Sequence, residues 1–122
     1  MKYMVLLITD ETRGGQMTPQ EMEQMGGQMQ QFMGELQDAG ALVDMGARLG
    51  SSDAARTLRY GEQGKAVVTD GPFAESKEQI AGYMVLECKD ADEAIGWAEK
   101  LPVGGAATAV EVRPFAERPG GP

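Results

Sequence analysis

A chain of 122 residues, 42% apolar and 25% charged, is long enough to build one domain around its own core without disulfides or a structural metal. Its 19 carboxylates against 11 cations leave a net charge of −8, which disfavours nucleic acid and anionic membranes because both are bound through Lys and Arg. One cysteine and no histidine exclude an intrachain disulfide, Cys-rich zinc sites, His-ligated metals, and Ser-His-Asp or Cys-His catalysis.

The apolar run Tyr3–Ile8 predicts a strand covered on both faces, since a half-buried strand would alternate. It is too short for a membrane span or a signal peptide, so a cytoplasmic location is expected. A loop from Asp10 to Met17 carries Arg13-Gly14-Gly15. Thr18 as N-cap, Pro19 at the first helical position and Glu21 closing a capping box then start a helix. Met22, Met25, Met29, Phe32, Met33 and Leu36 line one face of it, and Gly40 ends it. Gly26, Gly27 and Gly34 each cost this helix about 1 kcal/mol relative to Ala, unless they let it approach a sheet closely.

Ala41–Leu49 reads as a second strand with Gly46 as a bulge. Thr57–Tyr60 and Lys65–Thr69 flank Gly61–Gly64 and read as a hairpin. Asp70 to Ile80 reads as a charged loop, and Gly82–Cys88 as the next strand. Asp90 caps a second helix whose apolar face is Ala91, Ala94, Ile95, Ala98 and Leu101, ended by Pro102. Ala109–Arg113 alternates as a last strand. Residues 1–116 form a single domain, and Glu117–Pro122 is a polar tail expected to be disordered. The order predicts an α+β, ferredoxin-like sandwich with an extra β-hairpin. Both helices would cover one sheet face, and a second copy packing sheet to sheet would cover the other, giving a homodimer.

Chemistry concentrates around Asp70-Gly71-Pro72-Phe73. An Asp in a turn usually accepts from the N–H two residues on, but Pro72 has none. Asp70 must therefore turn to the Phe73 N–H, a cation or a ligand, while Phe73 reads as an apolar anchor. The same four residues also serve simply to reverse the chain. Glu75, Lys77 and Glu78 follow; carboxylates beside an ammonium suit acid/base work, and also suit a solvated loop. Arg13 with its glycines offers a weak anion-binding signal. The Met stripe reads as core filler or as a pocket wall, Cys88 as buried and inert, and Trp97 as packed at a helix edge. No cofactor or metal is expected.

Thr69–Glu78, Gly82-Tyr83, Asp92-Glu93-Ala94 with Trp97-Ala98, and Glu111-Val112-Arg113-Pro114 together resemble the DGPF branch of the YCII-related family. The opening Met1–Met4 and the Pro19-Gln20-Glu21 helix start are similar as well. The resemblance implies a dimeric α/β-barrel of ferredoxin-like topology. It also implies a link to extracytoplasmic-function sigma factors, beside whose genes DGPF proteins are often encoded. In YCII-type relatives a His–Asp pair is proposed as the active site, and this chain has no histidine to complete one. The expected function is a dimeric small-ligand binding module, with Asp70, Phe73, Glu75, Lys77 and Arg13 as candidate ligand contacts. The alternatives are a small-molecule enzyme with Asp70 as general acid or base, and plain structural dimerisation.

Overall fold

The computed structural model describes residues 1–13 and 17–117. Their elements are β1 (Lys2–Asp10), α1 (Pro19–Asp38), β2 (Leu42–Arg48), β3 (Arg56–Tyr60), β4 (Ala66–Asp70), β5 (Glu78–Glu87), α2 (Ala91–Glu99) and β6 (Ala107–Pro114). Gly14 and Gly15 of the expected anion loop, and residues 118–122 of the expected disordered tail, lie outside the described residues.

The main sheet has the order β2-β5-β1-β6 with each neighbouring pair antiparallel. The strands β3 and β4 form a separate two-stranded sheet inserted between β2 and β5. The result is α+β, with an antiparallel sheet and two helices, compatible with a ferredoxin-like fold. Side chains alternate across the strands, and the inner face of the sheet carries Tyr3, Val5, Met84 and Leu86, with Cys88 just beyond β5. These pack against Phe32 and Leu36 of α1 and Ala94 of α2.

The outer face carries Met4, Leu6 and Ile8, which stand opposite Val85, Tyr83 and Ile80. Among the described residues the cover expected on both faces of β1 is therefore complete on the inner face and partial on the outer one. Met4, Leu6 and Ile8 are half-buried, whereas Tyr3 and Val5 are fully buried.

Local chemistry explains the helix limits. Thr18 accepts from the Glu21 N–H at 3.1 Å, and the Glu21 carboxylate accepts from the Thr18 N–H, which is the reciprocal box expected from the sequence. At the other end Ala41 N–H donates to Leu36 O and Gly40 N–H to Gln37 O, a Schellman pattern that brings buried Ala41 onto buried Leu36. The glycines of α1 do not serve close packing, since a Cβ at Gly26, Gly27 or Gly34 would meet nothing within 4 Å. In α2 the Asp90 carboxylate accepts from Glu93 N–H at 2.9 Å.

Several boundaries and faces differ from expectation. The strand β5 starts at Glu78 rather than Gly82 because its polar start pairs with Ile8, Thr9 and Asp10 of β1. The hairpin connection spans residues 61–65, since Lys65 precedes β4. The helix α2 ends at Glu99, before Pro102. Ile95 is exposed rather than on the buried face, and so is Met22 of the Met stripe. Trp97 is partly buried against the core, edge-on to Phe32 with ring centroids 6.3 Å apart. Gly46 lies at the expected irregularity, where the β2–β5 register shifts between Asp44 and Ala47.

Candidate functional site

The loop between β4 and β5 is tied down mainly by hydrogen bonds to β3. Gly71 has φ +101°, a region that L side chains rarely adopt. Its N–H donates to Ala55 O at 2.7 Å, and its carbonyl accepts from Thr57 Oγ1 at 2.8 Å. Asp70 closes β4 with its side chain 89% exposed and turns to a cation, Arg56, at 3.5 Å. Phe73 is no buried anchor: it is 74% exposed. Arg59 lies over its ring, 5.1 Å from the centroid, and donates to its carbonyl at 3.0 Å. Gln79 Nε2 fastens the second half of the loop to Ala74 O and Ser76 O, both at 2.9 Å. Glu75 stands exposed.

A second cluster forms at the end of β1. Among the described residues Asp10 is the buried charged side chain, at 3% exposure. Burying a carboxylate is costly unless it is hydrogen-bonded and paired. Asp10 Oδ1 accepts from Thr12 N–H at 2.8 Å and from Thr12 Oγ1 at 2.6 Å, while Oδ2 faces Arg13 at 3.5 Å and Lys77 at 3.9 Å. The Thr12 hydrogen bonds hold the Asp10 carboxyl below its ordinary range against the opposing effect of burial, and the two cations add to the lowering. Both cations are largely exposed, with Arg13 at 61% and Lys77 at 64%.

The structure thus joins Arg13 and Lys77 on Asp10, and places Asp70 and Phe73 with the arginines of β3. Sequence reasoning singled out both cations and missed the carboxylate between them. The available signal was an Asp ending an apolar strand with Thr two residues on, the spacing at which an Asp side chain caps its own turn.

Next to this cluster the end of the sheet opens into a cleft of about 390 Å³, lined by Leu49, Ser52, Ala55, Pro72, Gln79 and Ile80 among others. Gln79 and Ile80 pair with Thr9 and Ile8 of β1, so the cleft and Asp10 share one end of the sheet. Glu11 bridges them: its carboxylate accepts from both the N–H and the hydroxyl of Ser52, which lowers its pKa, and its N–H donates to Lys77 O. The lining is mostly apolar with a few polar groups, the usual make-up of a small-molecule site. Cys88 lies elsewhere, under the helices, where burial pushes its thiol pKa up.

Among the described residues, no group of three or more acidic or Cys side chains is placed to hold a metal ion, and no helix is long and apolar enough to cross a membrane. In sequence the chain is 37% identical over 117 residues to an uncharacterized protein of Rhizobium meliloti, covering 95% of this chain and 93% of the relative. The family model described as the YCII-related domain matches residues 1–116. With nearly its whole length matched in this way, the chain belongs to the YCII-related family.

Proposed function

We propose that the protein is a cytoplasmic, homodimeric small-ligand binding module of the DGPF branch, whose site is the cleft beside Asp10. The observation that carries this reading is the pairing of a mostly apolar cleft with a buried carboxylate, bonded by Thr12, that faces two exposed cations. Such an edge suits a small organic acid, with its apolar body against Leu49, Pro72 and Ile80 and its carboxylate met by Arg13 and Lys77. Pro72 of the turn lines the cleft, and Asp70, Phe73 and Glu75 would complete its outer rim.

Surface area supports the dimer. A folded monomer of 13.0 kDa is expected to expose roughly 6,300 Å², and this chain exposes 8908 Å². The excess is larger than the roughly 800 Å² per partner that a stable interface buries, and the outer sheet face supplies apolar surface to fill it. The enzyme alternative rests on Asp70, an exposed carboxylate in an ordinary surface ion pair, and no feature of its surroundings favours it. The sigma-factor link is a regulatory extension of the same reading, tested by a pull-down against an extracytoplasmic-function sigma factor.

A thermal-shift screen of small organic acids tests the site, followed by calorimetry on the hits. The expected result is a stabilising acid whose affinity falls at least about tenfold in Arg13→Ala or Lys77→Ala, the loss of one charge-assisted contact. Binding should vanish in Ala54→Trp, which fills the cleft from an exposed wall position. No stabilising acid, or a hit indifferent to all three variants, defeats the reading.

A further inference from the structure

The cleft beside Asp10 is lined by three polar side chains, Ser51, Ser52 and Gln79, in an otherwise apolar wall. The Ser52 hydroxyl is already engaged, since it donates to the Glu11 carboxylate. Gln79, half-buried at the start of β5, commits its nitrogen in full. Both Nε2 protons go to the loop before it, to Ala74 O and Ser76 O at 2.9 Å each. Turning the amide over would set its oxygen against those two carbonyls, so its orientation is fixed. That leaves Oε1, an acceptor that takes no hydrogen bond from the described residues.

Ser51 offers the opposite. Its Oγ accepts from the Asp53 N–H at 3.3 Å, and its hydroxyl proton meets no acceptor among the described residues. One free acceptor and one free donor therefore line the same apolar cleft. A ligand hydroxyl answers both, because it donates a proton and accepts through its lone pairs. An ammonium group can only donate, and it would bring positive charge into a site already edged by Arg13 and Lys77. A methyl group would cover both polar groups and pair with neither, which costs their desolvation.

We propose that the cleft selects a hydroxy acid, with Gln79 Oε1 and Ser51 Oγ as the specificity-determining pair for its hydroxyl. This rests on the organic-acid site proposed above and adds which kind of acid it takes. Lys77 stands two residues before Gln79, so contacts for the carboxylate and the hydroxyl fall on one short stretch of chain. A cleft of about 390 Å³ lies near the lower limit of ligand sites, which keeps the acid small.

Calorimetry on the unaltered protein with three matched probes tests the proposal: 2-hydroxy-4-methylpentanoate, 4-methylpentanoate and leucine. The hydroxy acid should bind at least about tenfold tighter than the acid lacking the hydroxyl, the worth of two neutral hydrogen bonds, and tighter than leucine. The ratio between the first two should fall toward one in Ser51→Ala and in Gln79→Met. A substitution that merely loosened the loop would weaken both acids alike and keep the ratio. A hydroxy acid no tighter than its partner, a ratio that survives both variants, or leucine binding tightest overturns the hydroxyl contact while leaving the cleft standing. So does an acid screen whose hits all lack a hydroxyl. A screen with no hit at all overturns the cleft first and the hydroxyl contact with it.

Discussion

The two adjacent glycines in α1 offer the sharpest test of the fold. Gly26 and Gly27 sit on exposed helix positions, and an added Cβ at either meets nothing within 4 Å. Each glycine costs an α-helix interior about 1 kcal/mol relative to Ala, through extra freedom in the unfolded chain. Gly26→Ala and Gly27→Ala together should therefore stabilise the protein by about 2 kcal/mol. For a domain of this size that corresponds to a rise in Tm of roughly 8 °C. The assay is urea unfolding followed by circular dichroism at one fixed protein concentration, because the proposed dimer would make stability concentration-dependent. The midpoint should rise with the m-value unchanged. A loss of stability would refute the reasoning, because it would mean that the open side of α1 is filled by something the single chain does not contain.

The opposite result is expected at Gly46, where φ is +69° and a Cβ would lie 1.6 Å from Tyr83 O; Gly46→Ala should cost more than about 3 kcal/mol or abolish folding, and a near-neutral midpoint in the same titration would count against the β2–β5 register. The lowered pKa of Asp10 gives stability that is fully present above the unfolded carboxyl value of about 3.9 and is lost as pH falls through the lower folded value. Asp10→Asn should flatten this acid limb of the stability curve below about pH 4, and an unchanged limb would show that the Thr12 hydrogen bonds do not form in solution. The buried Cys88 thiol, its pKa raised, should react with a disulfide reagent only as fast as the protein opens; labelling of the native protein at the rate of a free thiol would contradict its burial.

What the sequence revealed divides along the distance between interacting residues. Thr18 with Glu21, Asp90 with Glu93, the Gly40 helix end and the Gly46 bulge are decided within a few positions, and all four were legible. The Asp10–Lys77 contact depends on the β1–β5 register, which no local pattern states. The same register carries β5 back to Glu78, where composition alone reads as loop. Phe73 misled because an aromatic in a turn normally buries itself, whereas here Arg59 covers one face of its ring from a strand that is itself exposed. Ile95 misled by periodicity, since α2 is short and only the arc around Ala94, Trp97 and Ala98 meets the core.

The most specific stretch of the sequence, Asp70-Gly71-Pro72-Phe73, acquires a physical role once its bonds are followed. Asp70 pairs with Arg56, Gly71 bonds to Ala55 and Thr57, and the Phe73 carbonyl and ring are both held by Arg59. Every one of these partners lies in β3 or next to it, so the motif clamps the root of the hairpin and sets its direction. Only glycine is comfortable at the φ of position 71, and proline at 72 stiffens the exit into the cleft wall. Gly71→Ala therefore tests the clamp: amides of residues 56–70 should exchange faster with solvent, and an unchanged rate would show that the motif does not hold the hairpin.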